Sequence, residues 1–213
     1  MTKLRMLSVG LIAVLCSAFA VVQAGATTGG HFIAPAGTTI KSQETLGTNH
    51  RLEFVSHGLE GGIVCDEVTY SDYTSTKETE TEIKVTPTYN TCHTTGGEHN
   101  VTVTVGSCYY RFTVGPGGSG TADLVCPSGD AIVIKHPACE ITIPAQNNIG
   151  GLSYVTTIEN GVHAITLEAA AKFNTQYHGG ICVFTGTNHV GTLNGSATVN
   201  GIKENKAVPI TAT

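Results

Sequence analysis

Through most of this chain apolar and polar residues alternate one for one, the signature of β-strands with a single buried face. Thr81-Glu82-Ile83-Lys84-Val85 alternates charged with apolar, and Val101, Val103 and Val105 alternate with Thr102 and Thr104. Cys108, Tyr110, Phe112 and Val114 share one face and end at Gly115-Pro116-Gly117-Gly118-Ser119-Gly120, a turn. Leu124 and Cys126, then Ile132 and Ile134, then Cys139, Ile141 and Ile143 continue the pattern. Turn signals at Pro127-Ser128-Gly129-Asp130 and at Pro137 separate these runs. Asn160-Gly161 is the strongest hairpin signal, because both residues tolerate the positive φ of a type I′ turn. It joins an arm at 152–158 to one at 162–173. The second arm holds Leu167-Glu168-Ala169-Ala170-Ala171-Lys172, good helix formers. Ile165, Leu167, Ala169, Ala171 and Phe173 nevertheless keep strict alternation and no Ser or Asp cap precedes them, so the arm is predicted to be a strand. Gly191 to Thr213 predicts two further strands around Gly201.

Strands and turns recurring about every 8–12 residues predict an all-β fold, here an antiparallel, immunoglobulin-like β-sandwich. Residues 27–50 are Gly/Thr/Ala-rich with little periodicity, and read as a mobile lead-in with one short strand near Phe32. Residues 51–213 form the β domain, with a break at 150–151 as the alternative division.

The start of the chain changes the picture. Lys3 and Arg5 precede an apolar run from Leu7 to Val22, and two small-residue cleavage triplets close it, Val22-Gln23-Ala24 and Ala24-Gly25-Ala26. A charged head, a short apolar run and a small-residue exit make residues 1–26 a secretory signal peptide. The expectation is an exported, extracellular protein with no integral membrane segment once the leader is gone. Leu15 directly before Cys16 argues against a lipoprotein signal, which needs a small residue there. Cleavage after Ala26 leaves 187 of the 213 residues, enough for a substantial core. The formal charge is −5, and −7 without Lys3 and Arg5. An acidic surface excludes the phosphate neutralisation on which nucleic-acid binding rests, and it disfavours an anionic membrane surface.

Export also decides the chemistry of sulfur. Cys65, Cys92, Cys108, Cys126, Cys139 and Cys182 lie in the exported part, where thiols oxidise. Six cysteines allow 15 pairings. Their positions beside neighbouring strand patterns favour sequential pairing: Cys65 with Cys92, Cys108 with Cys126, and Cys139 with Cys182.

No constellation specifies a reaction. Gly117-Gly118-Ser119-Gly120-Thr121 lacks the last glycine of a nucleophile elbow and lies between strands. Phosphate-binding glycine loops are absent, so no cofactor is indicated. Nine histidines are dispersed; Cys92-His93 with His99 is the nearest grouping, and an oxidised cysteine is no zinc ligand, so no metal site is expected. Glu78, Glu80 and Glu82 would share one face of a strand, a charged edge that discourages aggregation. Tyr109-Tyr110 places one ring in the core and one outside, and these two are the candidate ligand contacts, with a glycan or cell-envelope component as partner.

Three phrases resemble a group of exported, cysteine-containing β-sandwich proteins of soil actinobacteria. They are Cys139-Glu140-Ile141-Thr142-Ile143-Pro144-Ala145-Gln146, the closing stretch from Leu193 to Gly201, and the strand end Tyr89-Asn90-Thr91-Cys92. Ala169-Ala170-Ala171 departs from the Thr/Val-rich strand expected there. That group has no established activity, so the resemblance implies the fold and carries over no functional residue. The expectation for function is a non-enzymatic binding or structural module. The competing expectation is a secreted glycan hydrolase using two carboxylates from separate strands.

Overall fold

A computed structural model describes residues 29–44, 50–56, 59–137, 139–178 and 186–213. The expected signal peptide at 1–26 and Cys182 lie outside the described residues. Among the described residues eighteen strands follow one another. The first six are β1 (Phe32–Ile33), β2 (Thr39–Glu44), β3 (His50–Ser56), β4 (Leu59–Tyr70), β5 (Tyr73–Thr74) and β6 (Thr79–Glu80). Next come β7 (Glu82–Val85), β8 (Pro87–Thr94), β9 (Thr102–Thr104), β10 (Tyr109–Val114), β11 (Ser119–Val125) and β12 (Ala131–His136). The last six are β13 (Cys139–Pro144), β14 (Gln146–Glu159), β15 (Val162–His178), β16 (Gly186–Lys203), β17 (Lys206–Val208) and β18 (Thr211–Ala212). Every pairing is antiparallel, and no α-helix occurs among the described residues. Nor is any helix there long and apolar enough to cross a membrane.

The alternating patterns fold as expected. Along β15 the odd residues Ile165, Leu167, Ala171, Phe173, Thr175 and Tyr177 are buried, while Glu168, Ala170, Lys172, Asn174 and Gln176 face solvent. Period-two burial overrides the helix propensity of the alanine stretch, because only a strand buries all the apolar residues on one side. Asn160 (φ 49°) and Gly161 (φ 81°) form the expected turn, closing Glu159 against Val162. Cys108, Tyr110 and Val114 point inward together, with Phe112 half-buried on the same side.

One path of pairings runs β5-β2-β4-β3-β16-β15-β14-β11-β10-β7. Its end strands β5 and β7 lie near each other, so the sheet curls almost closed, close to a barrel. Curling removes long open edges, which are the hazard of a large sheet. A second, three-stranded sheet of β18, β1 and β6 lies with β18 against β14 and β15.

Two local expectations are corrected. The lead-in is built into the fold from residue 29 to 44: Phe32 and Ile40 are buried, β1 pairs with β18, and β2 pairs with β16. Those partners lie far along the chain, so no local pattern announces them. Gly201 is no turn; β16 runs through it, and the chain reverses at Glu204-Asn205, both with positive φ. Glycine serves at 201 because an added Cβ would meet the Val208 carbonyl oxygen at 2.8 Å. At Gly150 and Gly151, the alternative division point, β14 runs through as a continuous strand.

Candidate functional site

The two complete disulfides fasten neighbouring strands. Cys65 and Cys92 stand directly opposite on β4 and β8, with Cα atoms 4.0 Å apart. Cys108 and Cys126 bracket the β10–β11 ladder one step beyond the Tyr109–Val125 pair, with Cα atoms 4.1 Å apart. Both match sequential pairing, and both are compatible with an oxidising environment. Cys139 is also disulfide-bonded. Its expected partner Cys182 is outside the described residues.

Tyr109 and Tyr110 part company on β10, as strand alternation requires. Tyr110 is buried, and its hydroxyl lies 2.9 Å from that of Tyr89. Burial pushes the Tyr110 hydroxyl up to about 12, and burial and then the Tyr110 charge push Tyr89 up as well. Tyr109 is half-buried on the opposite face, near Lys84 and Arg111. The two tyrosines therefore cannot grip one ligand together.

On that outer face Arg111 donates to Asp123 Oδ2 from Nε at 3.0 Å and from Nη2 at 2.6 Å, and it stands 3.9 Å from Glu82. Asp123 sits where the β11–β14 register shifts, which frees its other oxygen to accept the Asn148 N–H at 2.7 Å. Burial pushes its carboxyl up, but the Asn148 N–H and the Arg111 guanidinium outweigh this and hold it below the usual range. It is a fixed anion in an ion pair, chemically the reverse of a proton donor.

The acidic stripe does not survive folding. A bend at Thr81 separates β6 from β7, and the three carboxylates go separate ways. Glu80 is buried and accepts from the Thr76 N–H at 2.9 Å, the Thr76 hydroxyl at 3.0 Å and the Lys77 N–H at 3.3 Å. Its burial pushes it up, yet those donors hold it below the usual range. Glu78 stays exposed, and Glu82 meets Lys84 at 3.1 Å. Ser119 turns its hydroxyl back onto the Pro116 carbonyl at 2.8 Å, closing its own loop.

Among the described residues, an apolar cleft inside the curled sheet has the concavity of a binding site. Its floor forms where the inward side chains of β15 become small, at Ala169 and Ala171. The floor extends onto the neighbouring strands, because Ala169 pairs with Gly195, Ala171 with Gly150 and Leu167 with Ala197. An added Cβ at Gly150 would collide with the Ala170 carbonyl, so that position cannot fill the space. Tyr110 and Phe112 of β10, stacked with centroids 6.0 Å apart, and Tyr70 of β4 form the facing wall. Measured out to its open mouth, this lobe spans about 460 Å³. A second lobe of about 440 Å³ lies beside it, closed by Phe32 and Tyr154 packed edge to face at 5.3 Å. Tyr70, Phe112, Leu167 and Ala197 line both lobes, so they form the partition. The enclosed part of each has room for only about two waters.

Sequence reasoning missed this cleft. Its one visible signal was the Ala169-Ala170-Ala171 run, out of place in a strand rich elsewhere in larger residues. Among the described residues no three His, Cys, Asp or Glu side chains gather to hold a metal ion. Cys92 is bound to Cys65. No protein-family model, curated protein or solved structure matches this chain.

Proposed function

We propose that this is an exported, non-enzymatic binding module whose ligand is a small apolar molecule held in the cleft between β10 and β15. The observation that carries the reading is the opposition of small floor residues, Ala169, Ala171 and Ala197, to the aromatic wall of Tyr70, Tyr110 and Phe112. An apolar floor of that kind leaves space between the walls, and such concave apolar spaces are where small ligands bind. Lining chemistry favours an apolar occupant over a glycan, since sugar hydroxyls would lose their hydrogen bonds there. In this reading the fold works as an immunoglobulin-like sandwich, with β10 and β15 as facing walls and the disulfides holding β4, β8, β10 and β11 in place. The module acts outside the cytoplasm, where those disulfides persist.

Titration of the mature, oxidised protein with an environment-sensitive apolar fluorophore tests this. Saturable, blue-shifted emission at one probe per chain supports the reading, and an absence of saturable binding rejects it.

A further inference from the structure

Separate from the cleft, at the connection between β8 and β9, two imidazoles are brought together by a tight reversal of the chain. The Thr94 N–H donates to the Glu98 carbonyl at 2.9 Å, and the Glu98 N–H donates back to the Thr94 hydroxyl at 3.1 Å. Gly97, with φ 87°, lets the chain turn inside that ring. Closing residue 94 on residue 98 puts residues 93 and 99 side by side, in the way that directly opposed strand residues meet. The rings of His93 and His99 accordingly lie with centroids 5.2 Å apart and planes tilted by 42°. His136 Nε2, 2.8 Å from Glu98 Oε2, holds the turn from outside.

The spacing has a chemical meaning. With metal–nitrogen bonds of about 2.0–2.1 Å and a tetrahedral angle at the ion, two ligating imidazoles have centroids roughly 5 Å apart. A ligating histidine commonly turns its other ring nitrogen toward a carboxylate, which fixes the tautomer and the ring direction. His93 has that neighbour: its Nδ1 is buried without a hydrogen bond and stands 3.7 Å from Asp66 Oδ1. Asp66 is exposed. Nδ1 facing Asp66 leaves Nε2 of His93 for the ion. His99 is exposed, so the pair opens to solvent.

We propose that His93 and His99 form a two-imidazole chelate for a borderline divalent ion, Zn²⁺ or Cu²⁺, with Asp66 as the positioning carboxylate and water in the remaining coordination places. Two neutral imidazoles select these ions over Mg²⁺ and Ca²⁺, which take oxygen ligands. The disulfide at Cys92, next to His93, fixes the strand end that carries the first ligand.

Calorimetric titration of the mature, oxidised protein with ZnCl₂, and separately with CuCl₂, tests the proposal. One ion per chain is expected, with affinity reduced at least tenfold in His99→Ala and in His93→Ala, and several-fold in Asp66→Asn. The exposed His163→Ala variant leaves the affinity unchanged. Thermal melts confirm that each variant is folded, and His99→Asn, at an exposed loop position, serves if the alanine variants are not. Absence of binding by the wild type, or wild-type affinity in a folded His99 variant, overturns the proposal.

Discussion

The side chain of Gln146 takes the place of a strand residue opposite Asn174. Its Oε1 accepts the Asn174 N–H at 2.6 Å, and its Nε2 donates to the Asn174 carbonyl at 2.8 Å. Both bonds lie at a gap in the ladder. β13 pairs with β15 as far as Thr142–Gln176, and β14 takes over at Gly150–Ala171. Between them Asn174, which pairs with Val190 of β16 on its other side, has no strand partner on this side, and the amide of Gln146 supplies a donor and an acceptor in the right places. Nε2 also donates to the Pro144 carbonyl at 3.1 Å, tying the amide to the end of β13. The Pro144-Ala145-Gln146 phrase thus has a physical role at the handover of strands.

Replacing Gln146 with Ala leaves the Asn174 amide to water and is expected to cost about 1–2 kcal/mol. Denaturant unfolding measures that loss, and hydrogen exchange at the Asn174 amide is expected to speed up. Gln146→Glu restores the acceptor but sets an anion against the Asn174 carbonyl, so it rescues nothing. Wild-type stability in Gln146→Ala would remove the amide from the account.

Asp123 and Glu80 give stability a predictable response to acid. Both carboxyls are held below their ordinary values of 3.8 and 4.5 in the folded protein. A group depressed by folding contributes fully above its unfolded value, and the contribution disappears as pH falls through the folded value. The contribution of these two carboxylates is therefore constant above about pH 5 and is lost as pH drops below about 4. Asp123→Asn is expected to cost about 1–2 kcal/mol at pH 7 and progressively less in acid. Urea midpoints at a series of pH values give the comparison, and a constant difference between the two proteins contradicts the ion-pair role.

Each described disulfide constrains the unfolded chain across 27 or 18 residues. Removing either pair as a double Cys→Ser variant is expected to lower stability by about 3–4 kcal/mol. Non-reducing peptide maps check the links first. A Cys65 peptide joined to any partner but the Cys92 peptide contradicts the register of β4 on β8.

The type I′ turn offers a backbone test. Gly161 has φ 81°, so Gly161→Ala is expected to destabilise by about 1 kcal/mol through left-handed strain alone, with open space around the new methyl. Thermal melts read the change, and an unchanged midpoint contradicts the turn assignment.

What the chain revealed in advance follows from the range of the interactions. The strand identity of β15, the Asn160-Gly161 turn and the inward face of Cys108, Tyr110 and Phe112 are local, written in alternation and φ preference. The built-in lead-in was hidden, because Phe32 is held by Ala212 and Glu80, and Ile40 by Gly201. The acidic stripe misled because the bend at Thr81 and the capping of Glu80 depend on partners outside the alternating pattern. The cleft was invisible for a similar reason. Ala169 and Ala171 look like ordinary small residues until Gly150, Gly195 and Ala197 arrive beside them from two other strands.

Filling the cleft is the sharpest test of the proposed binding role. Ala169 is half-buried on the floor near the mouth, and a β-branched side chain suits a strand there. Fluorophore titration of Ala169→Ile beside the wild type is the decisive measurement. The account predicts that the variant melts at or above the wild-type temperature and loses probe affinity at least tenfold. A folded variant that binds the probe as tightly as the wild type would show that the cleft between β10 and β15 is packing space and no binding site.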